Sequence, residues 1–370
     1  MPASVAHMLI ARKVRKSLPP KAVPAGFVEM LEKNARYMEL GSLGPDLPYY
    51  AIRGRSPHDL PEEEVADPPE WTWGDLLHAK KPNSLPLEMI EAIWRGSEGD
   101  WRDRDKMTLA FACGYLTHIA ADQVVHPYVN GIAGDYNASY ENKRTHREVE
   151  VYQDVVLYAT VVGGDLMKAR PRPSAWCDLK QRRGKETKGW FPSTLRAAFN
   201  KAYEDAPADR DIERWVKHLL YFLGLPKVLR MYPRAAGDYN RHGDNSPMVQ
   251  KAFTAIGDID DIGYMGACFE PAAKLGAMYV MAAAKLYALD RWEDRYRDAF
   301  LGVVSPADLG NPKPEVDLEQ VSDALSKWPT AAGEKTGEVR RKRPEKTPEK
   351  TRRKADKTGQ VRIRKNRQER

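Results

Sequence analysis

Residues 107–130 read MTLAFACGYLTHIAADQVVHPYVN, and the spacing within this stretch decides the fold. His118, Asp122 and His126 fall at i, i+4 and i+8. Each step of four residues advances about 40° around a helix of 3.6 residues per turn, so all three side chains project from one stripe. Leu109, Ala112, Ile119, Ala120 and Val124 flank that stripe, which therefore faces inward. An interior row of imidazole, carboxylate and imidazole is costly unless compensated, and a hard or borderline dication compensates it. Pro127 is expected to end or bend the helix, leaving His126 near its final turn.

Outward from this stretch the same periodicity continues. Apolar residues recur at helical spacing in Phe27, Met30, Leu31 and Met38, and again in Leu219, Leu220, Leu223 and Leu225. Helices are predicted over residues 86–94, 104–125, 144–158, 192–203, 212–222, 247–256 and 271–300, giving an all-α class. Residues 41–84, rich in Pro, Gly and acidic side chains, read as a long loop with short helical pieces. The segment THREVEVYQDV places His146 and Glu150 at i, i+4 on the helix after the central one. Helices joined by a short connection pack as antiparallel neighbours, so five nitrogen and oxygen ligands can converge on one cavity. Rival metal signatures fit less well. A zincin needs Glu directly after the first His and a second His four residues on, where Ile119 and Asp122 stand. The Glu-x-x-His pairs of ferritin-like di-iron sites are missing.

The chain has 370 residues and a formal net charge of +7. A chain of this size buries about 75% of its unfolded surface, so no metal is needed merely to hold a core. Residues 331–370 alone carry +10, and residues 1–330 carry −3. The basic pI thus belongs to a low-complexity tail, with PEKT twice in tandem, which cannot bury enough apolar area to order itself. The organisation expected is a compact helical domain over 1–304, a linker with a short helix over 305–330, and a disordered basic tail over 331–370. The helix, over residues 318–328, can pack back on the domain. The tail can hold an anionic membrane surface or nucleic acid by counterion release, although it lacks the aromatics that would stack on bases.

Cys113, Cys177 and Cys268 are odd in number and form no CxxC pair, which suits reduced cytoplasmic thiols. The N-terminal stretch lacks the apolar run of a secretory signal, because Arg12, Lys13, Arg15 and Lys16 interrupt it. The apolar run at 275–284 is only ten residues, against the roughly 20 that span a bilayer. A cytoplasmic protein with no transmembrane segment is expected.

The residues resemble the bacterial zinc-dependent phospholipase C family, whose fold is shared by the fungal single-strand zinc nucleases. That family has a His in its first helix, a Gly-rich segment ending in Pro-Asp, and a His after an acidic and aromatic loop. The H-x3-D helix, another His and a final H-x3-E follow. The matching positions are His7 in SVAHMLIARKV, Asp46 in GSLGPDLPYY, His78 in WTWGDLLHAKK, His118 with Asp122, His126, and His146 with Glu150. The resemblance covers about residues 5–155, and no comparable motif stands in 160–300.

The resemblance implies one zinc on His78, His118 and Asp122 and a second on His126, His146 and Glu150, with Asp46 at or between them. Two zinc ions can polarise a phosphoryl oxygen, activate a water and steady the leaving oxygen of a phosphodiester. Asp46 is the candidate for orienting or deprotonating that water, its alternative role being that of a ligand only. The family's third zinc uses a mature N-terminal Trp with the residues matching His7 and Asp122. This chain begins Met-Pro, so two zinc ions are carried over and a third is left open.

The activity implied is a zinc-dependent phosphodiesterase resembling phospholipase C, acting on a phospholipid headgroup or a nucleotide. Two alternatives stand beside it: a zinc nuclease on the same fold, and a non-enzymatic metal-stabilised scaffold tethered by the tail. His58 and Asp59 form an HD dipeptide, but Pro57 and Pro61 set it in a loop rather than a helix. Tyr49, Tyr50, Trp71 and Trp73 read as packing around the site rather than as a platform for a base or headgroup. His218 and His242 have no metal-spaced partner and read as structural.

Overall fold

The computed structural model describes residues 4–50, 73–97, 99–136, 138–168, 190–223, 231–253, 268–312 and 316–329. Among the described residues there are helices and turns and no strand. In chain order the helices are α1 (Ser4–Ser17), α2 (Phe27–Lys33), α3 (Ala35–Gly41), α4 (Trp73–Ala79), α5 (Ser84–Ser97), α6 (Asp103–Ala133) and α7 (Tyr140–Val161). They continue with α8 (Trp190–Tyr203), α9 (Asp209–Leu223), α10 (Met231–His242), α11 (Pro247–Phe253), α12 (Glu270–Tyr287), α13 (Asp294–Val303) and α14 (Leu318–Ser326). The all-α class read from the sequence stands. None of the described helices is long and apolar enough to cross a membrane.

Helix α6 is the axis of the fold, with α1, α3, α5, α7 and α12 packed around it. Buried side chains occur on all sides of it, from Leu109, Phe111 and Tyr115 to Ile119 and Val129, as expected of a helix inside a bundle. Its first turn is fixed by Asp105, whose carboxylate accepts the Arg102 backbone N–H at 3.0 Å. Asp103 and Asp105 also complement the positive end of the helix dipole. Gly134, at φ 81°, ends it. Helix α7 is capped by Ser139, the residue before it, whose hydroxyl accepts the Asn142 N–H.

Two glycines let α3 lie directly on α6. A Cβ at Gly114 would sit 2.0 Å from the Met38 carbonyl oxygen, and one at Gly41 would sit 2.0 Å from that of Phe111. Only a residue without a side chain permits this backbone approach, which brings the Ser42 carbonyl within reach of His118.

Two local expectations are corrected. Pro127 lies inside α6, which runs on to Ala133, so His126 is well within the helix. The proline removes one N–H, but contacts hold the last two turns: Val129 is fully buried, and Asn130 donates to the Gly310 carbonyl at 2.8 Å. The single helix expected over 271–300 is two, α12 and α13. The break is held by tertiary contacts, with Trp94 donating to the Leu289 carbonyl and packing its ring near that of Trp292.

Residues 1–329 form one compact unit. Within it, α14 packs against α12 and α13. His58, Asp59, Trp71, Cys177 and the basic tail lie outside the described residues.

Candidate metal centre

Helices α1, α4, α6 and α7, with the loop after α3, bring all eight predicted site residues together as buried side chains. His7 comes from α1, Asp46 from the turn after α3, and His78 from α4. His118, Asp122 and His126 come from α6, and His146 and Glu150 from α7. The donor atoms form three groups, each with its atoms within 4.8 Å of one another: His7 with His118 and Asp122, Asp46 with His78 and the same His118, and His126 with His146 and Glu150.

Asp122 is the hub. Its Oδ1 lies 3.3 Å from His7 Nε2 and 3.7 Å from His126 Nε2, and its Oδ2 lies 3.0 Å from His118 Nε2 and 3.7 Å from His78 Nε2. Asp46 Oδ1 lies 3.3 Å from His78 Nε2. Glu150 Oε1 sits between His146 Nε2 at 3.3 Å and His126 Nε2 at 3.4 Å. The rings of His7 and His118 are stacked at 3.9 Å.

The imidazoles are aimed by their outer nitrogens. His118 Nδ1 donates to the Ser42 carbonyl at 2.8 Å, His78 Nδ1 to the Gly74 carbonyl at 2.7 Å, and His126 Nδ1 to the Leu309 carbonyl. A carbonyl can only accept, so Nδ1 carries a hydrogen and Nε2 is the nitrogen that faces the carboxylates. This is the arrangement by which metal-ligating histidines are held.

Whether the residues fit a cation is tested by the polar atoms they leave over. Both oxygens of the fully buried Asp46 lack a hydrogen-bond donor, and Asp122 Oδ2 has no hydrogen-bond partner besides its 3.0 Å approach to His118 Nε2. A buried carboxylate with no donor is unstable without a neighbouring positive charge. The histidines supply that charge when no metal is bound. Burial opposes a charge on His118, yet Asp122 and Asp46 lift it to about 9, and Asp122 and Glu150 lift His126 to about 10 against the same burial. Asp122 and Glu150 are held well below the usual carboxylate range, since the histidines facing each outweigh its burial. His7 is pushed down to about 4 by burial and by the charge on His118. Protons thus stand where a dication would, and the nitrogen and oxygen donor set suits zinc.

Of the four aromatics read as packing around the site, Tyr49, Tyr50 and Trp73 are described. Trp73 meets the Phe199 ring edge-on at 5.1 Å, and Tyr50 is buried with its hydroxyl 3.1 Å from Ser4 Oγ. Tyr49 lies beside His78, its hydroxyl donating to Asp75. His218 donates to the Tyr50 carbonyl, and His242 reaches Asp238 at 4.0 Å.

Sequence reasoning missed two groups around the site. Asp154, four residues beyond Glu150, accepts the Val5 N–H at 3.2 Å, the Ala6 N–H at 2.7 Å and the Tyr232 hydroxyl at 2.6 Å. It closes the first turn of α1 and so holds His7 in place; its spacing from Glu150 was the available signal. The backbone carbonyls of Ser42, Gly74 and Leu309 carry no side-chain signature and could not have been read.

The family model described as zinc dependent phospholipase C matches residues 6–206. No curated protein and no solved structure gives a significant match.

Proposed function

Because the chain belongs to the zinc-dependent phospholipase C family, we propose that it is a zinc-dependent phosphodiester hydrolase. The observation that carries the reading is the buried Asp46 carboxylate, without a hydrogen-bond donor and facing His78 and His118. One zinc belongs to Asp46, His78 and His118 with Asp122, and a second to His126, His146 and Glu150. His7, against His118 and Asp122, is where a third would find its imidazole. When bound, zinc supplies Lewis-acid polarisation of a phosphoryl oxygen and lowers the pKa of water towards neutrality.

The chain's own residues then do the rest. Asp46, with an oxygen free of other donors, orients a water and takes its proton. Asp122 ties the two halves of the centre through its contacts with His118 and His126. The Nδ1 anchors hold three imidazoles at fixed angles, so little reorganisation is needed when a phosphodiester enters. The substrate is a phospholipid headgroup ester or a nucleotide diester. The +10 tail offers an anionic surface or a polynucleotide a point of attachment.

The test is metal content per chain by mass spectrometry, on protein purified without chelator or metal-affinity resin, with a panel of phosphodiesters. Two or three zinc ions per chain, lost with turnover in His118→Ala, support the reading. Asp46→Asn is expected to retain metal and lose hydrolysis. A folded Asp46→Asn protein with full turnover would remove Asp46 from the chemistry, and a wild-type chain that takes no zinc would end the reading.

A further inference from the structure

The centre receives one of its anchors from far outside the region matched by the family, which ends at residue 206. Residues 304–310 run along α6 after the end of α13, and their backbone is gripped at successive points. Gln123 Nε2 donates to the Ser305 carbonyl at 3.1 Å, His126 Nδ1 donates to that of Leu309, and Asn130 Nδ2 donates to that of Gly310 at 2.8 Å. Gln123, His126 and Asn130 stand at i, i+3 and i+7, one ridge of the helix. The ridge is braced from α12, where the Tyr279 hydroxyl donates to Gln123 Oε1 at 2.7 Å and accepts the Ser305 N–H at 3.4 Å. Asn83, between α4 and α5, donates to the Val304 carbonyl.

Leu309 is the junction. Its side chain is fully buried, its carbonyl accepts from His126 Nδ1, and its N–H donates to the His78 carbonyl at 2.8 Å. One residue therefore joins a candidate ligand of the Asp46 group to one of the Glu150 group, across two helices otherwise separate in sequence.

We propose that residues 304–310 form a positioning strap for the metal centre: the Leu309 backbone fixes the His126 ring and holds α4 against α6, so that both metals bind at their proper places. The proposal rests on the zinc reading above. Gln123, Asn130 and Tyr279 are positioning residues, since they act on the ligands only through the strap. Loss of an outer-shell partner of a ligating histidine weakens metal binding by about 10–100-fold.

The experiment is competition of zinc-free, full-length protein against a chromophoric chelator. It compares the wild type with Tyr279→Phe, Asn130→Ala and the pair combined, and His146→Ala identifies the binding step of the Glu150 group. The combined variant is expected to weaken that step by about 10–100-fold and the Asp46-group step by less. Tyr279→Phe alone, which removes a single hydroxyl, is expected to weaken it at least about threefold. Imidazole proton resonances supply a readout without metal: the His126 Nδ1–H signal, protected in the wild type, exchanges faster in the variants. A folded combined variant with wild-type affinity at both steps overturns the strap. If the combined variant does not fold, unchanged affinity and unchanged exchange in Tyr279→Phe overturn it instead. A wild-type chain that binds no zinc overturns the metal reading itself, a result distinct from either.

Discussion

Helices α6 and α7 carry the same pattern and use it differently. On α6, His118, Asp122 and His126 stand at i, i+4 and i+8; on α7, His146, Glu150 and Asp154 do the same. The first two of each row face the metal centre, but the third positions part. His126 meets Asp122 and Glu150, whereas Asp154 meets the backbone N–H groups of Val5 and Ala6 at the start of α1. Spacing puts side chains on one stripe, and what lies opposite the stripe decides whether a carboxylate holds a metal or caps a helix.

The sharpest break of this comparison is Asp122→Ala against Asp154→Ala. Asp122 touches four histidines, so its loss is expected to abolish zinc retention and reduce turnover by at least about a thousandfold, as for loss of a metal centre. Asp154→Ala is expected to keep the Asp46 and Glu150 groups loaded and to cost about 1–3 kcal/mol of stability, from amides and a tyrosine left without their acceptor. Metal content and thermal unfolding of both proteins check this. An Asp154→Ala protein as metal-free as Asp122→Ala would make α7 a second full ligand row.

Next in size is the seam that only α6 possesses. Gly114→Ala is expected to destabilise the chain by about 1–3 kcal/mol, since the new Cβ would meet the Met38 backbone and push α3 away. Denaturant unfolding measures the cost. The displacement also draws the Ser42 carbonyl from His118, so zinc affinity should fall together with stability.

The two aspartates should titrate in opposite senses in metal-free protein. Asp122 lies below its unfolded value, so its contribution is present above pH ~4 and is lost as pH falls. Burial lifts Asp154 to about 7 despite its three donors, so its contribution is greatest below pH ~4 and declines as pH rises to about 7. Asp154→Asn should therefore flatten the stability profile between those limits, by on the order of 1–3 kcal/mol. An unchanged slope would show that Asp154 is ionised throughout.

The remaining effect concerns zinc and protons. His118 and His126 are raised to about 9 and 10, so in metal-free protein their contribution is present below pH ~6.5 and is lost as pH rises through those values. Zinc must displace one proton in each group. Its affinity should rise about tenfold per pH unit per site from pH 6 to 8, as chelator competition at successive pH values would register. A flat profile would mean that both imidazoles are neutral before the metal arrives.

Most of the candidate site was legible because ligand pairs on one helix carry their geometry in their spacing. His118 with Asp122, and His146 with Glu150, needed only 3.6 residues per turn. His7, Asp46 and His78 have no such internal partner and were found through the family's motif order. Pro127 was expected to end or bend α6 near His126, and the helix instead runs on to Ala133: a missing N–H is a local cost, and Val129 and Asn130 hold the next turns by contacts that local rules do not contain. The break between α12 and α13 failed in the same way, since Trp94 and Trp292 lie far apart in sequence.

By itself the sequence determined the helical class, the inward stripe of α6 and the chemical types gathered for a metal. Each follows from side-chain chemistry and helical period over a few turns. Only the tertiary structure decided that His7 stacks on His118, that Asp154 caps α1, and that Leu309 ties His126 to His78. These contacts join residues across long separations, most of them through backbone groups common to every residue type, so only packing could select them.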